Sequence, residues 1–397
     1  MAQTGTAVAL TRPGGRPRAD LHVAHVIHSL EEGGAEALLV ELAGVALTAG
    51  MRLSVLSLMP IRVRRYADAL ADLGVDVADL GLASRWDPRA LSRGPARIRG
   101  WNVDLIHTHL KHADIIGSVA ARRLRVPLVS TLHVIEDRPS PLGRGKAELA
   151  AIARRSTAAR TIAVSDAQRR WYLDSLRVPP SGVVTLNNGV RQPRRYRPDE
   201  RAARRAAVGA GEDTVLAVAV GVLRPQKGHA DLVAAVAGLS ADLPLRVVVA
   251  GDGPERDRLA RLAGGLGDRF RFLGWVDDVP ALLDAADFVV HPSTADALPT
   301  ALLEAAAAAR PVVATRVGGV PEIVSAETGV LVDAGDVAAL SAGIARLAGD
   351  VALRLRLGEA ARQRFDLEFG AEAWAARLRE LYDEVLDEHA RSAGMPV

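Results

Sequence analysis

Short apolar runs alternate with longer amphipathic ones along this 397-residue chain, and the alternation stops once and then begins again. LHVAHVIHSL (21–30) reads as a strand, EEGGAE (31–36) as a glycine turn and ALLVELAGVALTAG (37–50) as a helix stopped by Gly50. RLSVLSL (52–58) is a second strand, and further strands are expected at 103–107, 127–132, 161–164 and 183–186. A charged, proline-bearing connector, RQPRRYRPDERAARRAAVGAGED (191–213), interrupts the pattern. Strands then follow at 215–222, 245–250, 270–273, 288–291 and 311–315, with helices at 229–239, 255–262, 279–286 and 299–309 between them. Strands separated by helices pair in parallel and are covered on both faces. The expected fold is therefore α/β, with two Rossmann-like, doubly wound domains facing a central cleft.

The expected divisions are a leader over 1–20, an N-terminal domain over 21–190, a C-terminal domain over 191–370, and a closing amphipathic helix from 371 that crosses back to the first domain. Hydrophobic residues, at 49%, suffice for two cores. No apolar run reaches the roughly 18 residues of a membrane span, and the N-terminus lacks an apolar block, so a cytoplasmic protein is expected. There is no cysteine, which excludes disulfides and thiolate metal sites. Charge is uneven. Residues 1–190 hold 25 Lys and Arg against 17 Asp and Glu, and the remainder 25 against 30. A basic first half suits anionic lipid or an acidic acceptor, or reflects composition alone. With aromatics at 4%, stacking platforms are few and no nucleic-acid partner is expected.

The segment FVVHPSTADALPTALLEAAAAARPVVATRVGGVPEIV (288–324) carries the most chemistry. A buried strand runs into a polar loop holding Asp296, and Pro299 then opens a helix bearing Glu304. Proline suits the first helical position because its missing N–H loses no partner there. The free amides that follow Leu298 and Pro299, from Thr300 onward, with the positive end of the helix dipole, suit a diphosphate. Glu304 lies a turn farther in, where its oxygens can accept ribose hydroxyls, and Asp296 can do the same for a sugar. This is the pattern of a nucleotide-sugar site.

Other residues are weaker alone. Gly33 and Gly34 sit between a strand and a helix, where backbone amides can approach a phosphate, although a purely structural turn fits equally. Lys227, with Arg224 three residues earlier, follows a strand and can neutralise a diphosphate. His133 ends the strand VSTLH, where ligands bind in an open sheet. His107 and His109 form an H-x-H pair on one strand face, with no third metal ligand evident, so no metal is expected and a packed role suits His107. All these residues fall near the carboxyl ends of strands, which brings them to one cleft.

Taken in order, the motifs resemble those of the retaining glycosyltransferases of family 4, which have the GT-B fold. The resemblance runs from 21 to about 382. It includes GGAE (33–36), His133, LNNGV (186–190), VGVLRPQKGH (220–229), AGDGPERDRL (250–259), FLGWVDDVPALLDAAD (272–287) and the acidic motif through Gly319. It implies a nucleotide-diphosphate sugar co-substrate, a hydroxyl acceptor, no cofactor and a metal-independent reaction with net retention. Matched by position, it implies that Lys227 holds the donor diphosphate, Glu304 the ribose and Asp296 the donor sugar. Gly33, Gly34 and the turn after Leu298 then meet the phosphates, and His133 lies beside the reacting sugar.

Three positions depart from the family pattern. Asp296-Ala297 stands for the usual Glu-Gly, Val222 for an arginine that Arg224 is expected to replace, and Ala309 for a glycine. The first two motivate an alternative, a nucleotide-sugar-binding protein with little transferase activity. A dinucleotide oxidoreductase is disfavoured because no G-x-G-x-x-G follows the first strand. Relatives with lipid-linked acceptors suggest peripheral contact with an anionic membrane through Arg62, Arg64, Arg65, Arg122, Arg123, Arg125, Arg154 and Arg155.

Overall fold

The structure, a computed structural model, describes residues 20–31, 33–82, 84, 87–135, 141–176 and 178–394. The leader expected at 1–20 thus lies, except for Asp20, outside the described residues.

The first domain alternates β1 (Leu21–Ile27), α1 (Gly34–Ala46), β2 (Met51–Ser57), α2 (Arg65–Asp72), β3 (Asp76–Asp79), α3 (Ala90–Arg99), β4 (Leu105–His109), α4 (Lys111–Leu124), β5 (Leu128–Leu132), α5 (Pro141–Thr157), β6 (Ala158–Ala163), α6 (Asp166–Leu176) and β7 (Val183–Thr185). The second contains α7 (Pro198–Ala207), β8 (Val215–Val220), α8 (His229–Ala237), β9 (Leu245–Ala250), α9 (Arg256–Ala263), β10 (Phe270–Gly274), α10 (Val279–Ala285), β11 (Phe288–His291), α11 (Thr300–Ala307), β12 (Val312–Thr315), α12 (Val320–Ile323), β13 (Gly329–Val332), α13 (Val337–Gly349) and α14 (Val351–Glu368), before α15 (Ala371–Ser392). The sheets run β3-β2-β1-β4-β5-β6-β7 and β10-β9-β8-β11-β12-β13, with every pairing parallel. Strand order reverses between β1 and β4 in one sheet and between β8 and β11 in the other. In open parallel sheets such a reversal leaves a crevice at the strand ends where ligands bind.

Several details differ from expectation. β3 and β13 were not expected: β3 (DVAD) is a half-exposed edge strand without an apolar run. The connector holds α7, whose first turn places the Glu200 carboxylate on the Arg197 amide at 2.8 Å. β4 begins two residues late because Asp104 is held on His22, its amide on the His22 carbonyl and its carboxylate on the His22 amide, both at 2.9 Å. His107 and His109 are consequently inside the strand. Pro299 caps α11 in extended geometry (φ −71°, ψ 117°), and Thr300 is the first helical residue. Its ring costs no hydrogen bond in either place.

Chain crossing joins the domains. After β7 the chain reaches Val190, which bonds Phe369 and Ala371 in a bridge next to the start of α15. α15 buries Trp374, Leu378 and Tyr382 against the first domain, packing on α1. The Tyr382 hydroxyl lies 2.5 Å from His107 Nδ1, and Glu388 pairs with Arg160 at 2.6 Å. Glu322 of the second domain accepts from the Asp166 and Ala167 amides at 3.0 and 2.9 Å, capping α6 across the gap.

Of the eight arginines proposed for a lipid surface, Arg62, Arg64, Arg122, Arg123, Arg125 and Arg155 are exposed, Arg65 is half-buried and Arg154 is not at the surface. Arg154 is buried, 2.5 Å from Asp114, with its Nε on the Tyr172 hydroxyl at 2.9 Å. Arg65 pairs with Asp277 of the second domain at 3.1 Å and covers Trp275, and Arg64 pairs with Asp68. Among the described residues no helix is long and apolar enough to cross a membrane.

Candidate functional site

Both points of strand-order reversal carry residues singled out above. Gly33 and Gly34 follow β1, and His109 ends β4. Lys227 follows β8, and Asp296 follows β11. The two starts of helix α1 and α11 meet across the gap: a methyl placed on Gly34 would lie 3.5 Å from Thr300 Oγ1. Two helix N-termini facing one space concentrate unpaired amides and positive dipole ends there, which suits an anion.

Lys227 occupies a short turn, Pro225–Lys227, and its Nζ lies 2.7 Å from Asp296 Oδ2. His291 Nε2 reaches the same oxygen at 2.9 Å. Burial opposes ionisation of Asp296, but the hydrogen bond and charge of His291, with Lys227, hold its carboxyl well below the usual range. Gly228 is left-handed (φ 65°), and a methyl on it would fall 1.9 Å from the Pro292 carbonyl oxygen, so the Lys227 turn can pass β11 only with glycine there. Gly318 and Gly319 serve the acidic loop in the same way. Methyls on them would fall 1.7 Å from the Asp296 and 2.1 Å from the Ala297 carbonyl oxygens.

Glu304 is half-buried in α11, and its carboxyl group makes no hydrogen bond among the described residues. Burial, reinforced by the nearby charge of Glu41 on α1, raises its pKa to about 8, so it is mostly protonated at pH 7. Glu36, in the first turn of α1, lies against Gly33, where a methyl would meet its carboxylate at 2.3 Å. Burial, with Glu31 nearby, raises its pKa to about 7. Leu298 and Pro299 are buried behind the start of α11. Arg224 is exposed, and its guanidinium makes no hydrogen bond or ion pair among the described residues. Its carbonyl accepts from the Lys227 amide at 3.0 Å in the same turn.

His133 follows β5. Its Nε2 is 2.8 Å from His109 Nδ1, and burial lowers its pKa to about 4, which keeps it neutral. With Leu38, Leu42, His107, His109, Asn188 and Trp374 it lines a small cavity with about 20 Å³ of room for a water, enough for one. Sequence reasoning missed a third imidazole: ring nitrogens of His25, His107 and His109 lie within 4.8 Å of one another. His25 pairs in register with His107 across β1 and β4, an adjacency invisible in the sequence. His291 was also missed, although it ends β11 and His133 directly follows the end of β5.

Residues 32–192 match the family profile "Glycosyltransferase Family 4", and residues 200–364 match "Glycosyl transferases group 1". The chain is 32% identical to a D-inositol 3-phosphate glycosyltransferase of Streptomyces scabiei over 74% of this chain and 70% of that one. It is 30% identical to the Streptomyces avermitilis protein of the same name over 89% and 80%. Anabaena Alr3699/HepE in complex with UDP-glucose superposes with a TM-score of 0.81 at 21% identity, covering 92% of this chain and all of that one. WaaG, a glycosyltransferase of lipopolysaccharide biosynthesis, superposes with a TM-score of 0.69 at 19% identity, over 90% and 99%. With both halves matched, relatives of 30% identity or more over most of the chain and the two-domain architecture shared, the chain belongs to the family 4 glycosyltransferases of GT-B fold.

Proposed function

We propose that the protein moves a hexose from a UDP- or GDP-sugar to a hydroxyl of a carbohydrate, lipid-linked or small-molecule acceptor, with retention and without a metal ion. The observation that carries this reading is the meeting of the α1 and α11 starts at Gly34 and Thr300, with Lys227 on the next turn. In the transfer, the bond from the anomeric carbon to the diphosphate oxygen breaks and a bond to the acceptor oxygen forms. The departing diphosphate gathers charge, which Lys227 and the helix-start amides offset, and it takes the acceptor's proton. Fixed protein charge at that position supplies what a metal would otherwise supply. Glu304 holds the ribose, and Asp296 and His133 face the sugar.

UDP is the first donor base to test, because the Anabaena structure contains UDP-glucose. A phosphorylated polyol is an acceptor class worth testing beside simple sugars, given the named substrate of the Streptomyces relatives. Lys227→Ala should lower turnover about 10²-fold or more in a folded protein, and EDTA should leave the wild-type rate unchanged. Wild-type turnover in Lys227→Ala, or loss of activity in EDTA restored by a divalent ion, would count against the reading.

One observation favours a second reading. Asp296 is tied to Lys227 and His291 through the same oxygen, which leaves less of it for a sugar. Nucleotide binding by calorimetry without transfer or donor hydrolysis, over a broad panel, would identify a binding protein.

A further inference from the structure

Three imidazoles on neighbouring strands are joined end to end. His25 Nδ1 lies 2.8 Å from His109 Nε2, and His109 Nδ1 lies 2.8 Å from His133 Nε2. The transfer proposed above uses neither His25 nor His109, yet both are buried. Burial keeps the rings neutral, lowering the pKa of His25 to about 3, that of His133 to about 4 and that of His109 well below its ordinary value. The groups against them are neutral too. His107 stacks on His109 with centroids 4.4 Å apart, and spends one nitrogen on Tyr382 and the other on Thr131 at 2.6 Å.

Proton counting then fixes what the chain can do. A neutral imidazole has one N–H and one bare nitrogen. Three rings hold three protons, and each ring-to-ring bond uses one. The third sits at one end, on His25 Nε2 or on His133 Nδ1. The ends are unequal. His25 Nε2 is buried without a hydrogen-bonding partner among the described residues. His133 is half-buried and stands two residues before Ile135, whose side chain lies against Gly318 of the other domain. An orphaned buried N–H is rarer than an orphaned acceptor, so the third proton belongs at the His133 end. Backbone strain marks the same place. Leu110, directly after His109, is held at φ 73°, ψ 154°, a costly region for a residue with a side chain.

We infer that His25 and His109 are positioning residues which polarise this chain, so that His133 meets the cleft as a neutral Nδ1–H donor aimed at an oxygen of the sugar or its acceptor. This rests on the reading that His133 lies beside the reacting sugar. His133 is then a fixed donor rather than a base, and the acceptor's proton leaves with the diphosphate.

Two-bond ¹H–¹⁵N spectra of the full chain labelled in histidine should show His133 protonated at Nδ1 from pH 5.5 to 8.5, without titration. Protonation at Nε2, or an imidazolium forming near pH 6.5, overturns the proposal. These spectra decide it even if the protein transfers no sugar. Kinetics separate positioning from packing. His109→Asn keeps a donor near the Nδ1 position, whereas His109→Leu keeps only bulk. The leucine variant should lose about ten- to a hundredfold in kcat, less than removal of a direct donor, with donor KM within about twofold, and the asparagine variant should recover most of that loss. Equal kcat in the two variants at matched Tm overturns it. So does a stoichiometric metal in the purified wild type that is lost in His25→Ala, which would make the cluster a metal site.

Discussion

Replacing Glu304 by glutamine tests the electrostatics of the cleft without removing bulk. Burial raises this carboxyl from an ordinary value near 4.5 to about 8. The contribution to stability is therefore fully present below pH 4.5 and is lost as pH rises through 8. At about 1.36 kcal/mol per pH unit the gross effect is about 4–5 kcal/mol. Glu304 is half-buried, and solvent screening brings the effect to on the order of 2 kcal/mol. Glutamine has the same shape and nothing to ionise, so Glu304→Gln should gain on the wild type as pH rises. For domains of this size the gap in Tm should widen by roughly 4–8 °C between pH 5 and pH 9. Scanning calorimetry of both proteins at fixed ionic strength measures it. Parallel Tm curves, or a wild type that gains on the variant with pH, would refute the reasoning.

Other expectations follow from the same geometry. An anion at the start of α1 meets Glu36, whose pKa is about 7, so UDP affinity should fall as pH rises through 7. Glu36→Gln should flatten that trend in calorimetric titrations, and an unchanged slope would remove Glu36 from the account. Gly319→Ala drives a methyl to 2.1 Å from the Ala297 carbonyl oxygen, so it should disturb the acidic loop and weaken UDP binding at least tenfold, by about 1.4 kcal/mol. Wild-type affinity would show that the loop yields freely. Arg154→Met strands the buried Asp114 carboxylate and should destabilise the first domain by about 3–5 kcal/mol in denaturant titrations. A loss under 1 kcal/mol would place Arg154 at the surface after all.

Much of the fold was legible because buried parallel strands are continuous apolar runs: 245–250 and 288–291 fall where the structure has β9 and β11. What escaped was polar or remote. β3 lies at a sheet edge and needs no apolar face, and α7 lacks an apolar stripe amid its arginines, burying Arg205 alone. Lys227 and Glu304 were singled out from local turn and helix signals; Lys227 lies on Asp296 of its own domain, and Glu304 lies near enough to Glu41 of the first domain to feel its charge. The tie between Lys227, His291 and Asp296 was not readable, because it depends on how closely two loops pass. The histidine chain depends on which strands are neighbours, since 77 residues (28–104) separate β1 (Leu21–Ile27) from β4 (Leu105–His109). The close passage of Gly318 and Gly319 against the Asp296 and Ala297 carbonyls likewise depends on how two loops meet and leaves no mark in the sequence.

The central claim is that the gap between the domains grips a diphosphate through Lys227 and two helix starts. Calorimetric titration of UDP and of uridine into the wild type and Lys227→Ala tests it directly. UDP should bind at least tenfold more tightly than uridine, and most of this advantage should disappear in Lys227→Ala while uridine binding is unchanged. Equal affinity of the wild type for UDP and uridine, or an undiminished UDP advantage in the variant, would contradict it.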